Sequence, residues 1–260
     1  MIIATVSLNQ IWEDKKTNFL LCKKYIEEAS SKDVDLIVFP EMTLTGFSTN
    51  IGITSEEEGI SETIDKFQTL AKVCNIAILF GVVIQDKNKA LNKSIFVNNY
   101  GKVLGQYAKI HPFVFAGEDK YFNAGNKLSI VKFNDFDIGL TICYDLRFPE
   151  LYSALANSSD IIINIANWPE KRVEHWNALL KARAIENQIF LIGVNRIGSD
   201  TNGLSYKESS SIYNANGELL GFDTFKDMKI FQVDKNFTKE FKSKFNTTND
   251  RKIEFYKDVL

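Results

Sequence analysis

The sequence predicts a single α/β domain, and three observations predict it. Short apolar, β-branched runs alternate with amphipathic stretches from one end of the chain to the other. No internal repeat, low-complexity tract or linker rich in Pro, Gly or Ser divides it. A chain of 260 residues with 45% hydrophobic content can bury a large core. One domain over residues 1–260 is therefore expected. A polar, lysine-rich tail from Asn236 onward is expected to be peripheral, helical and outside the core.

The elements follow in order. Ile2 to Leu8 is apolar and β-branched enough for a buried strand. Between Asp14 and Ser31, Phe19, Cys22, Ile26 and Ala29 recur at spacings of three and four, the pattern of an amphipathic helix. Leu36 to Phe39 reads as a short buried strand ending at Pro40-Glu41. Ile60, Ile64, Phe67, Ala71 and Cys74 repeat the helical spacing. Ile76 to Ile84 and Lys93 to Asn98 read as strands, and Asn99-Tyr100-Gly101 turns into another, Val103 to Ala108. Ile138 to Ile142 is a strand that stops at Cys143, and Pro149 to Asn157 is a helix with proline in its first turn. Asp160 to Ala166 is a strand, Lys171 to Asn187 a long helix, and Ile189 to Asn195 a further strand. Asn216-Gly217 marks a last hairpin between Ser210-Tyr213 and Glu218-Leu220.

Bulk properties exclude several function classes. A net charge of −2 with interspersed lysines and acids lacks the basic clusters of a nucleic-acid footprint. No apolar run reaches the roughly 18 to 20 residues of a membrane span, so no membrane partner is expected. The N-terminal Met1 to Ser7 run has neither the basic start nor the cleavage site of a signal peptide. Three cysteines at wide spacing do not suggest a disulfide framework, and a reducing cytoplasm is the expected location.

Three strand ends carry the groups of one chemistry. Cys143 stands where the apolar run Ile138 to Ile142 meets a polar turn, a position at which an α/β sheet presents groups to ligands. A thiol is only a few per cent thiolate at neutral pH and is activated by a base or a cation. Of the two histidines, His111 and His175, neither lies in a Cys-His motif. Glu41, behind Leu36-Ile37-Val38-Phe39-Pro40, is the better base, because a partly desolvated carboxylate is more basic. Lys109, behind Val103 to Ala108, would hold its charge near the thiolate and the developing oxyanion. The backbone N–H of Tyr144 would complete that oxyanion hole.

The contexts Phe39-Pro40-Glu41, Tyr107-Ala108-Lys109 and Cys143-Tyr144-Asp145-Leu146-Arg147-Phe148-Pro149, in this order, resemble the nitrilase, or carbon–nitrogen hydrolase, superfamily. The resemblance runs from the first strand to about Asp234. It implies a four-layer α-β-β-α sandwich, a homodimer and a Glu-Lys-Cys triad. It also implies that Glu118, in Ala116-Gly117-Glu118-Asp119-Lys120-Tyr121-Phe122, orients Lys109 or polarises the attacking water. Ala166-Asn167-Trp168-Pro169, His175-Trp176, Ala182 to Asn187 and Asn195 to Asp200 look like the bacterial ω-amidase branch. That branch deaminates ω-amides of 2-oxo dicarboxylic acids such as 2-oxoglutaramate, with no metal or organic cofactor. The substrate is then a small anionic amide. Arg172 is the candidate for its far end, with Phe115, Trp168 and Trp176 as apolar walls.

Plainer readings stand beside these. Cys22 and Cys74 sit in helical apolar stripes as core residues. Arg147 and Arg183 read as buried ion-pair partners, and the histidines as satisfied structural groups. The run Phe113 to Phe122 reads either as packing or as the shape of a pocket beside Lys109. Two other functions remain open: hydrolysis of another C–N bond, in an N-carbamoyl amino acid or a linear aliphatic amide, and a catalytically silent binding protein.

Overall fold

The computed structural model describes residues 1–259. The first half runs β1 (Ile2–Val6), α1 (Lys15–Ser30), β2 (Leu36–Val38), α2 (Ile51–Thr54) and α3 (Glu62–Val73). It continues through β3 (Ala77–Asp86), β4 (Lys89–Val97), β5 (Val103–Ala108), β6 (Ile130–Phe133) and β7 (Phe136–Ile142). The second half runs α4 (Pro149–Ala156), β8 (Ile161–Ala166), α5 (Val173–Asn187), β9 (Phe190–Asn195), β10 (Gly198–Ser199) and β11 (Ser205–Tyr206). It ends with β12 (Ser211–Tyr213), β13 (Asp223–Phe225), β14 (Met228–Gln232), α6 (Lys235–Lys244) and α7 (Ile253–Val259).

These elements build two large sheets packed face to face, and β10 and β11 pair as a separate two-stranded ribbon. One orders its seven strands β13-β14-β1-β2-β3-β4-β5, the other its five β12-β9-β8-β7-β6. Each sheet has a parallel centre, β1-β2-β3 in the first and β7-β8-β9 in the second. Those strands are buried on both faces, which is why they read as continuous apolar runs. Alternation assigns each residue to a layer. Ile3, Leu36, Val38, Ile138, Leu140 and Ile163 meet between the sheets. Ala4, Ile37, Phe39 and Ile78 face the other way, under Cys22, Ile26 and Phe67 of α1 and α3. Ile162, Ala166 and Leu191 face Leu155, Trp176 and Leu180 of α4 and α5. The result is the four-layer α-β-β-α sandwich.

Local chemistry sets the helix ends. Asp14 accepts from Thr17 N–H at 2.9 Å and Ser61 from Ile64 N–H at 3.2 Å, so each caps its helix. Pro149 occupies the first turn of α4. Three expectations need correcting. Ile60 lies outside α3 and is exposed, because the Ser61 cap starts the helix after it. Glu218-Leu220 forms no full strand, only a bridge from Leu219 to Tyr213. The tail after Asn236 is not wholly outside the core. Phe237 packs on Phe190 at 6.0 Å, and Arg251 donates to Asn187 Oδ1 at 2.8 Å. Among the described residues, no helix is long and apolar enough to cross a membrane.

Candidate active site

The C-terminal ends of β2 and the edge strand β5 in the first sheet, and of β7 and β8 in the second, open on one seam. Glu41 follows β2 and Lys109 follows β5 in the first sheet; Cys143 follows β7 and Asn167 follows β8 in the second. Glu41, Lys109 and Glu118 are almost fully buried. Lys109 Nζ lies 3.1 Å from Glu41 Oε1 and 2.8 Å from Glu118 Oε2. Glu118 also accepts from Lys109 at 3.0 Å through Oε1 and from the Phe113 N–H. Asn92, on β4, donates its amide to Glu41 at 2.7 Å and to Glu118 at 3.2 Å. The Asn167 N–H donates to Glu41 Oε2 at 2.9 Å. A buried carboxylate is tolerable when donors surround it in this way.

Burial opposes the ammonium of Lys109, but Glu118 and Glu41 outweigh it and hold the group charged, well above its ordinary value. Cys143 lines the pocket with Lys109 and feels all three charges. Desolvation is the largest influence and lifts its thiol; Glu41 lifts it further, and Lys109 pulls it back only in part. Cys143 therefore rests as a thiol. Its backbone has φ 47°, a left-handed conformation that is strained for a residue other than glycine. Two buried networks hold that turn. Asn164 Oδ1 accepts the Cys143 N–H at 2.9 Å, and its amide donates to Tyr152 and Thr141. Asp145 accepts from Ile142 N–H at 3.0 Å, His111 N–H at 3.0 Å and the Tyr107 hydroxyl at 2.8 Å. With the Cys143 N–H engaged, the Tyr144 N–H is the next backbone donor on the turn.

The pocket over Cys143 is walled by Phe47, Phe113, Tyr144, Trp168, Pro169, Leu204 and Tyr206, with Arg147 and Arg172 among them. Arg172 lies over the Phe113 ring at 5.5 Å, and Arg147 over Trp168 at 4.8 Å. Lys109, Cys143, Tyr144, Trp168 and Arg172 thus line one space, with Glu41 and Glu118 bonded to Lys109 behind that wall. Two expected wall residues do not. Phe115 is 88% exposed; the turn at Val114–Ala116 sends its ring out and Phe113 in. Trp176 is fully buried on the inner side of α5, where its N–H donates to Ser209 O at 2.9 Å. It backs Trp168 at 5.4 Å and stays out of the pocket. Arg147 is no buried ion-pair partner: it lines the pocket, and among the described residues its side chain hydrogen-bonds to His175 Nδ1, at 3.3 Å, and to no carboxylate. Arg183 does pair, with Glu186 at 3.0 Å.

Sequence reasoning missed Asn92, Asn164 and Asp145, and assigned no role to Asn167. The available signal was a polar residue inside an apolar strand: Asn92 and Asn164 interrupt β4 and β8, where asparagine is disfavoured. Phe47 and Leu204 come from loops and Tyr206 from the two-residue strand β11, with no periodic pattern to mark them.

Comparison with known proteins places this arrangement. The carbon–nitrogen hydrolase family profile matches residues 2–242. The chain is 36% identical over 210 residues to the omega-amidase YafV of Escherichia coli K12, covering 81% of this chain and 80% of that protein. It is 31% identical over 189 residues to the 2-oxoglutaramate amidase of Bacillus subtilis, covering 72% and 70%. The crystal structure of XC1258 from Xanthomonas campestris, a CN-hydrolase superfamily protein, superposes with a TM-score of 0.89 at 26% identity, over 96% of this chain and 97% of that one. The chain belongs to the carbon–nitrogen hydrolase family.

Proposed function

We propose that this hydrolase releases ammonia from the ω-amide of a 2-oxo dicarboxylic acid monoamide, of the 2-oxoglutaramate or 2-oxosuccinamate type, through a cysteinyl thioester. Amide hydrolysis is the chemistry named for the two relatives above. The observation that carries the substrate class is the pair of guanidiniums in the pocket wall. Arg147 and Arg172 lie on aromatic faces, and neither faces a carboxylate among the described residues. Cations left without an anion at the open end of an apolar pocket suit a substrate carboxylate.

The catalytic cycle follows from the charges. Two carboxylates and one ammonium leave the buried cluster one unit negative, so a free thiolate would raise that to two. Proton removal is therefore coupled to attack: Glu41 takes the thiol proton as the Cys143 sulfur bonds to the amide carbon. The oxyanion that forms is held by Lys109 and the Tyr144 N–H. As the C–N bond breaks, Glu41 returns the proton to nitrogen and ammonia leaves. Water then attacks the thioester, yielding a proton to Glu41; the S–C bond breaks, the acid departs and the thiol is restored. Glu118, with both oxygens on Lys109, serves to orient the ammonium.

The test is an ammonia-release panel of 2-oxoglutaramate, succinamate, N-carbamoyl-β-alanine, glutamine and a simple nitrile. Preference for the first two is expected. Turnover of the carbamoyl compound alone would replace this reading with hydrolysis of another C–N bond, and turnover of none would leave a silent binding protein.

A further inference from the structure

Three buried amide side chains converge on residue 41. Gln10 Nε2 donates to the Glu41 carbonyl at 3.0 Å and to the Met42 carbonyl at 2.9 Å. Asn92 Nδ2 donates to the Glu41 carboxylate, and Asn167 Nδ2 to the Glu41 carbonyl at 2.7 Å. These contacts decide which end of each amide is nitrogen, because residue 41 offers only acceptors to them. The other end of each, Gln10 Oε1, Asn92 Oδ1 and Asn167 Oδ1, is buried without a donor. A buried amide oxygen with no donor is unfavourable and calls for a partner that arrives from elsewhere. Of the three residues, only Asn167 belongs to the wall of the catalytic pocket, where it stands with Cys143.

The rest of that wall supplies the opposite polarity. Lys109, Arg147 and Arg172 present donors, and the phenyl, indole and proline faces present neither donors nor acceptors; the hydroxyls of Tyr144 and Tyr206 can accept, but the Tyr206 hydroxyl is engaged with Asp200 at 2.8 Å and neither is an orphaned buried oxygen. A primary amide brings a carbonyl that needs donors and two N–H groups that need acceptors. In the proposed cycle the carbonyl is met by Lys109 and the Tyr144 N–H, and Glu41 faces the departing nitrogen. One N–H is left over, and Asn167 Oδ1 is the buried acceptor without a partner. We infer that Asn167 Oδ1 accepts this N–H, so that Asn167 selects a leaving group bearing two hydrogens. The inference rests on the amidase reading and assigns Asn167 a contact with the reacting amide.

The test compares two leaving groups on one acyl group: 2-oxoglutaramate with 2-oxoglutarate 5-methyl ester, and succinamate with monomethyl succinate. kcat/KM reports the steps through acylation, so the shared thioester does not enter. Asn167→Ala is expected to lower kcat/KM for the amide at least about tenfold more than for the ester, which has no N–H to lose. Weakening of the hold on Glu41 also slows the amide more than the ester, because ammonia needs the Glu41 proton to leave, and a second variant measures that share. Gln10→Leu removes an amide that grips the same carbonyl from outside the pocket, and the amide-to-ester loss in Asn167→Ala is expected to exceed the one in Gln10→Leu at least about tenfold. An amide-to-ester loss in Asn167→Ala no larger than that in Gln10→Leu would overturn the inference, leaving Asn167 as a brace for Glu41. If the wild type releases ammonia from no primary amide, the amidase reading falls and takes this inference with it; ammonia release with no excess over Gln10→Leu sinks the inference alone.

Discussion

The residues of the site differ in what their removal exposes. Among the described residues, Lys109 is the only cation bonded to Glu41 and Glu118, both fully buried. Lys109→Met would strand two carboxylates away from water, and loss of one partner from a buried pair costs about 3–5 kcal/mol. Urea unfolding should show that loss in Lys109→Met and little change in Cys143→Ala, although both variants are expected to be inactive. Equal stabilities for the two would mean that Glu41 and Glu118 find other partners. Arg172 belongs to the opposite case. Its guanidinium rests on Phe113 near the rim and supports no buried charge. Arg172→Ala should therefore keep the wild-type melting temperature while raising KM for 2-oxoglutaramate roughly tenfold or more, the scale of a lost charged hydrogen bond. Uncharged amides should hardly respond, and an equal rise for both substrate types would remove Arg172 from recognition.

At the scale of elements, the backbone of β3 sets the position of Glu41. A Cβ on Gly81 would lie 2.3 Å from Met42 N and 2.9 Å from Glu41 C. Gly81→Ala must therefore push the Glu41 turn away from β3, and overpacking of this kind costs about 1–3 kcal/mol. A lower melting temperature with a fall in kcat is expected; normal turnover would mean that the turn moves without disturbing the carboxylate. This dependence also marks where the sequence was legible. The doubly buried central strands and the helices α1 and α3 announced themselves, because burial on a face imposes a period on the residues. The half-exposed strands β6, β13 and β14 carry little apolar pattern, and sequence reading passed over them. Glu41, Lys109, Cys143 and Glu118 were legible because each sits in a distinctive local context. The pocket wall was not: whether Phe113 or Phe115 turns inward depends on a single short turn, and Trp176 reads as well for a core as for a site. The stripe Phe237, Phe241 and Phe245 was present in the polar tail at spacings of four, and its first member, Phe237, docks α6 against the sheet.

For the molecule as a whole, the resting state of Cys143 is written into alkaline stability. Desolvation chiefly lifts the thiols of Cys22 and Cys143 well above their ordinary values, with Glu41 adding to the effect at Cys143. An unfolded thiol ionises near 8.5, so above that pH the native chain holds protons that the unfolded chain has lost. Stability then declines as pH rises: each thiol's contribution is complete below about pH 8.5 and disappears as pH climbs through the folded value, at about 1.4 kcal/mol per pH unit. Lys109, also raised, acts with the same sign but only from about pH 10.4 upward, so the thiols dominate the lower window. Cys143→Ala deletes one of them. Between about pH 8 and pH 10 its unfolding free energy should drop less than that of the wild type, by at most about 2 kcal/mol, the limit set by ionisation of the unfolded thiol. A thiolate already paired with Lys109 at neutral pH would reverse the sign, because a depressed folded value adds stability above itself, and removing the sulfur would cost the variant that gain. Urea titrations of the two proteins at both pH values separate these cases. A variant no less sensitive to alkali than the wild type would show that no thiol proton is held, and Glu41 would then have no proton to take from Cys143 at the moment of attack.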